Sequence, residues 1–206
     1  MDPAGRALGP RATETRQRLL DATEELLGTR PLRDLRVIDV ARKVGTSPAT
    51  FYQYFEDLED AVVHLAERAA EELPPIVAAI QQGFADAGGL ERARGIVAAF
   101  IAHWDAHRAV LRVRNLASEE GDPRFRNVRR RVHGPVIEAL AAEVVRGQGA
   151  GGVAREVHPF AAAAALAAIL ERLAAYHAEL QTFGVTRAHL VETSARIVVR
   201  TLGGTA

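Results

Sequence analysis

The stretch Val37 to Phe55, VIDVARKVGTSPATFYQYF, constrains this chain more than any other part of it. Val37, Val40, Ala41 and Val44 recur at three-to-four spacing, so one face of a short helix is apolar. Gly45 follows, a residue that leaves a helix through a left-handed conformation without a Cβ penalty. Ser47 is then placed to cap a second helix, and Pro48 sits where its missing N–H costs nothing. Phe51 and Phe55, four residues apart, are the expected buried anchors of that second helix. Two short helices joined by a tight turn form a helix-turn-helix, whose second helix enters a DNA major groove.

Anchoring through the two phenylalanines leaves Ser47, Pro48, Ala49, Thr50, Tyr52, Gln53 and Tyr54 to face DNA. Gln53 can form a bidentate pair with adenine or single bonds to other bases. Pro48 and Ala49 offer apolar contact to a thymine methyl, and Thr50 reaches either a base or a phosphate. Arg36, Lys43 and Thr46 complete the expected DNA-facing set.

Thr15–Ala22, Val37–Val44 and Gly45–Phe55, ending in Ala-Thr-Phe-Tyr-Gln-Tyr-Phe, resemble the DNA-binding domain of the tetracycline-repressor (TetR) family. The resemblance implies an all-α fold of about nine helices, a homodimer, and a C-terminal pocket whose small-molecule ligand releases DNA. It also implies that Tyr52 and Tyr54 hydrogen-bond phosphates, the alternative being that either ring packs on its neighbours. Two positions depart from the family pattern. Arg36 stands where many relatives carry Thr or Ser, better helix caps, and Leu58 stands where many carry a phosphate-binding Lys. Leu58 lies inside the acidic run Glu56–Asp60.

Composition limits the other possibilities. The formal net charge is +0, and residues 1–55 hold nine Arg/Lys against seven acids. Attraction to phosphates must therefore come from placement rather than bulk charge. There are no cysteines, hence no disulfides or thiolate metal sites, in keeping with a cytoplasmic location. No run of 18 or more uncharged apolar residues suggests a membrane span, and the N-terminal residues lack the apolar core of a signal peptide.

The periodicity predicts helices over 13–27, 90–106, 107–117, 123–146, 159–182 and 186–202, besides the two of the turn motif. Asp57 and Asp60 read as a capping pair opening a long helix, which Pro74-Pro75 breaks or kinks. Residues 1–12 read as a mobile arm, 13–57 as the DNA-binding domain, and 58–206 as the ligand-binding and dimerisation domain. Gly147–Gly152, GQGAGG, reads as a flexible loop: with no strand before it, a phosphate-binding glycine fingerprint is not supported. Ala162, Leu166, Ile169, Leu173 and Tyr176 form one apolar stripe; Leu190, Ile197, Val198 and Thr201 form another. Two such helices from each chain can make a four-helix dimer interface, with part of each stripe facing the protomer's own core.

Phe100, His103, Trp104 and His107 share a helical face and, with Asn115, Phe125, Ile169, Glu171 and Tyr176, are the candidate pocket residues, core packing being the alternative for each. His103 and His107 have metal-ligand spacing but no HExxH Glu, so no metal or other cofactor is expected. The body resembles the ethionamide-resistance-type regulators of actinobacteria, whose effectors are elongated and apolar. Glu171-Arg172 carries that likeness, although Leu170 stands where an Asn precedes the pair in those proteins. Arginines 112, 114, 124, 126, 129, 130 and 131 bracket Glu119, Glu120 and Asp122. Internal salt bridges with a solvated face, an anionic effector, and added DNA contact are the three readings of that cluster.

No nucleophile with an oriented base, paired acids at a defined spacing or complete metal set appears, so no catalytic residues are expected. The functional expectation is a sequence-specific transcriptional regulator of the repressor type, a homodimer on a palindromic operator released by an apolar or amphipathic effector. The alternative is a helical ligand-binding or interaction dimer whose DNA-binding domain has degenerated.

Overall fold

In the computed structural model, which describes residues 9–203, the chain is all-helical, with nine α-helices, two 3-10 turns and no strand among the described residues. The helices are α1 (Pro10–Leu27), α2 (Val37–Val44), α3 (Pro48–Tyr52), α4 (Leu58–Ala70), α5 (Pro74–Gln81), α6 (Gly89–Glu120), α7 (Pro123–Gly149), α8 (Pro159–Tyr176) and α9 (Arg187–Thr201). They fall into two compact units: Met1–Ala70 with His107–Arg129, and Glu71–Ala106 with Arg130–Ala206.

In the first unit α1 packs on α2 and α4, and α2 on α3. Leu19, Val40, Ala41, Phe51, Phe55, Ala61, Val62, Val110 and Phe125 are all 0% exposed. Thr23 is buried with them, and its hydroxyl donates to the Leu19 carbonyl at 2.8 Å, which satisfies the one polar group on the α1 stripe. Of the α1 stripe that the periodicity puts on one face, Leu19, Leu20, Thr23, Leu26 and Leu27, only Leu26 is not fully buried. The α4 start behaves as the acidic pair implies: the Asp57 carboxylate accepts from the Asp60 N–H at 2.6 Å, and the Asp60 carboxylate from the Glu56 N–H at 3.1 Å.

In the second unit α8 and α9 pack together. Ala163, Leu166, Ala167, Leu170 and Ala174 of α8 are buried, as are Leu190, Ala195, Val198 and Val199 of α9. By length and composition alone α8 is apolar enough to cross a membrane, a test that the core helix of a soluble protein also passes. Arg94 of α6 and Arg196 both donate through Nε to Glu192, at 2.7 and 2.6 Å. Those bonds hold the Glu192 carboxyl down at about 2, Arg94 contributing most. A depressed acid stabilises the fold fully above its ordinary value near 4.5 and loses that contribution as pH falls through about 2. Glu192→Gln is therefore expected to lower the thermal midpoint slightly at neutral pH, where the contribution is fully present, with the deficit shrinking between those two values so that the acid limb flattens. An unchanged acid limb would remove Glu192 from the account.

Several local expectations are corrected. Residues 10–12, assigned to a mobile arm, are the first turn of α1, with Pro10 at its opening; Arg11 is helical, and Arg6 lies outside the described residues. Pro74 and Pro75 do not only break a helix. They open α5 at positions whose N–H groups have no helical partner, and Ile76 and Ile80 bury its inner face. The boundary expected between helices at 90–106 and 107–117 is present inside α6, where His107 is non-helical at φ -117 and ψ 19; the second stretch runs on to Glu120. Gly147–Gly149 belong to α7, not to a loop. A Cβ at Gly147 would lie 2.6 Å from a Val153 methyl carbon and 2.7 Å from the Leu202 carbonyl, so Gly147 permits close approach of the chain after α9. The helix expected to reach 182 ends at Tyr176 and continues as a 3-10 turn, Glu179–Phe183, closed by Gly184 at φ 74.

Candidate nucleic-acid interface

The turn between α2 and α3 is built as its residues dictate. Gly45 is left-handed at φ 76, ψ 36, and the Thr46 N–H reaches back to the Ala41 carbonyl at 2.9 Å, closing α2. The Ser47 hydroxyl accepts from the Thr50 N–H at 3.3 Å, and Pro48 occupies the first helical position. At the α2 start the Arg36 side chain makes no cap. Instead the Asp39 carboxylate accepts from the Arg36 N–H at 3.1 Å. The guanidinium itself is left exposed.

The faces of α3 separate cleanly. Phe51 and Phe55 are fully buried, their ring centroids 5.2 Å apart. Ser47, Pro48, Ala49, Tyr52 and Gln53 are exposed, Tyr52 to 55%. Thr46, Thr50 and Tyr54 are half-buried, and the Thr50 hydroxyl lies 3.1 Å from that of Ser47. The presented surface is therefore short, polar and aromatic. An exposed amide next to an exposed phenol is the combination that can read a base edge beside a phosphate.

Charge around this face is sparse. Lys43 is held by Glu25 at 2.6 Å, so its ammonium is partly neutralised within the unit. Leu58, at the position where relatives carry a lysine, is buried. Arg42, absent from the sequence-derived set, is exposed in the last turn of α2 and makes no ion pair among the described residues. Its signal was available: it falls off the apolar stripe of Val37, Val40, Ala41 and Val44. Behind the face, the Arg16 guanidinium lies 5.1 Å above the Phe55 ring, and burial pushes its pKa down against the opposing fields of Asp60 and Glu67.

The residues expected to line a pocket are divided between the two units. Phe100, His103, Trp104 and Glu171 belong to the second unit, whereas His107, Asn115 and Phe125 belong to the first. His103 Nδ1 lies 3.3 Å from Glu72, and Glu171 lies 3.3 Å from His133 Nε2. Trp104 is 6% exposed, and its indole N–H has no hydrogen-bond partner among the described residues. In the first unit, His107 Nδ1 lies 3.6 Å from Glu24, and the Asn115 side-chain oxygen accepts from the Arg114 guanidinium at 2.9 and 3.0 Å. Phe125 is 0% exposed, a core residue. Ile169 and Tyr176 are exposed on α8, the latter with the Arg172 guanidinium 4.1 Å over its ring.

A family model described as bacterial regulatory proteins, tetR family, matches residues 19–60, and one described as tetracyclin repressor-like, C-terminal domain, matches residues 77–205. The chain belongs to the TetR family. The HTH-type transcriptional regulator EthR of Mycobacterium tuberculosis (strain ATCC 25618 / H37Rv) is 31% identical over 111 residues, 53% of this chain and 51% of that protein. The chain thus spans about half the length of the curated relatives it matches. Among solved TetR-like folds, the fatty acid degradation regulator FadR from Bacillus halodurans superposes with a TM-score of 0.68 at 16% identity, covering 97% of this chain and 98% of that one. FadR from Bacillus subtilis, solved in complex with stearoyl-CoA, gives 0.66 at 14% identity, covering 92% and 99%. At these identities the likeness is one of fold.

Proposed function

We propose that this TetR-family chain is a sequence-specific transcriptional regulator of the repressor type, bound as a homodimer to a palindromic operator and released by a small-molecule effector. The observation that carries the reading is the division of α3: fully buried Phe51 beside exposed Tyr52 and Gln53, on a helix capped by Ser47. Residues 13–57 do the DNA reading in this proposal, and 58–206 the effector binding and dimerisation. Gln53 reads a base, with Pro48, Ala49 and Thr50 beside it. Tyr52, Tyr54, Arg36 and the exposed Arg42 hold phosphates, while Lys43 contributes once released from Glu25.

Exposed Phe160, Ile169 and Tyr176 on α8 and Ile197 on α9 support a two-fold interface through the last two helices. For the effector, the buried Trp104 N–H is a donor that an acceptor on a ligand would satisfy, with Phe100 and His103 on the same helix. That donor, and the stearoyl-CoA in B. subtilis FadR, support an elongated, apolar or amphipathic effector. Release follows if the ligand favours a conformation in which the two α3 helices no longer match the half-site spacing.

The test is enrichment of duplexes from a randomised library by the full-length protein, followed by affinity measured across salt. The expected result is one palindromic sequence bound about a thousand-fold or more tighter than random DNA. Absence of enrichment would favour the alternative, a helical interaction dimer with a degenerate DNA-binding domain.

A further inference from the structure

One arginine in the first unit links two helix starts far apart in sequence. Arg124, in the first turn of α7, sends Nη1 to both carboxylate oxygens of Asp57, at 3.1 and 3.0 Å. Its Nη2 reaches Asp122 at 2.9 Å. Each aspartate already serves a helix N-terminus. Asp57 accepts from the Asp60 N–H where α4 begins, and Asp122 accepts from the Arg124 N–H at 2.8 Å where α7 begins. The contact joins residues 67 apart in sequence.

Asp57 is also the last residue before α4 on the strap that follows α3. Gln53, Tyr54, buried Phe55 and Glu56 separate it from Tyr52. The Nη1 contact to both oxygens of that carboxylate therefore restrains the end of the reading helix as well as the start of α4. The bend that carries Arg124 is itself defined. Gly121 is left-handed at φ 105, and the N–H groups of Gly121 and Asp122 both donate to the Ala117 carbonyl. The same pairing lowers the Asp122 pKa and raises that of Arg124.

We infer that Arg124 is a positioning residue for DNA recognition: by gripping Asp57 it holds the α3–α4 connection, and with it the base-reading face of α3, in register with the α6–α7 corner. This rests on the operator-reading proposal above. It extends the internal-salt-bridge reading of the 112–131 cluster by giving one of its pairs a positioning task, distinct from anion binding or direct DNA contact.

The test uses the full-length protein, the duplex it enriches from the randomised library, and a scrambled duplex of equal length. Asp57→Asn is the informative variant, because asparagine caps α4 as well as aspartate does but cannot form the ion pair. It also leaves Arg124 paired with Asp122. Asp57→Asn and Arg124→Gln are each expected to weaken binding to the enriched duplex roughly three- to five-fold, the upper range for a partly exposed ion pair. The double variant should be no weaker than either single one, and Arg124→Lys should recover part of the loss. Scrambled-duplex affinity and thermal midpoint should stay near wild type. Equal losses on both duplexes would make Arg124 a phosphate contact and overturn the inference. Additive losses, no loss, or losses that follow the thermal midpoint would overturn it too. If wild type enriches no duplex, the operator-reading proposal fails first and takes this inference with it.

Discussion

Alanine at Phe51 is expected to unfold the helix-turn-helix and abolish operator binding, while the second unit keeps its helices. Phe51 is 0% exposed, its ring lies 5.2 Å from that of Phe55, and Phe55 is equally buried. Removing a buried phenylalanine side chain costs about 3–5 kcal/mol, from lost burial together with the cavity left behind. A small domain has only about 5–15 kcal/mol in total, so the loss is a large share of what holds α3 in place. The helix cannot offset it: α3 runs only from Pro48 to Tyr52, far too short to form without tertiary packing. Amide hydrogen exchange resolved along the chain is the measurement, with Tyr52→Ala as control. Tyr52 is 55% exposed, so its removal should spare protection while still weakening DNA binding. Unchanged protection over α1–α4 in Phe51→Ala would show that the anchor lies elsewhere.

That anchor was readable in the sequence for a physical reason. Gly45, Ser47, Pro48, Phe51 and Phe55 act on neighbours within a turn or two, and a local pattern determines a local structure. The features that escaped are those set by distant partners. Gly147 looks like a loop residue until the Leu202 carbonyl is placed against it. Pro74-Pro75 reads as a helix breaker because periodicity cannot show that Ile76 and Ile80 have a core to face. The pocket candidates are divided between the two units for a related reason. Residues 100–115 run through the non-helical His107, and the chain on either side of it belongs to different units. A shared helical face up to Trp104 therefore says nothing about Asn115. Asp57 was legible as a cap, whereas its pairing with Arg124 was not, since no spacing rule links residues 67 apart.

Gln53→Ala is expected to produce the largest loss of operator affinity of any substitution that leaves the fold intact. Gln53 is exposed at the end of α3, and its backbone N–H donates to the Thr50 carbonyl at 3.3 Å whatever the side chain. The stability change should therefore stay within about 0.5 kcal/mol. On DNA, a bidentate glutamine–adenine pair discriminates by about 1–3 kcal/mol. A two-fold dimer carries two copies, on half-sites roughly 34 Å apart, far enough for their effects to add. The combined loss is then roughly 2–6 kcal/mol, about thirty-fold to more than ten-thousand-fold in affinity. Tyr52→Phe should behave differently. Removing a phosphate-bonding hydroxyl weakens binding to every sequence alike and leaves base preference unchanged. Repeating the library enrichment with each variant separates the two roles, because preference should relax at one symmetric pair of positions for Gln53→Ala and nowhere for Tyr52→Phe. If Gln53→Ala kept the wild-type preference, base reading would pass to Pro48, Ala49 and Thr50, and the operator would be recognised mainly through methyl contacts and a single hydroxyl.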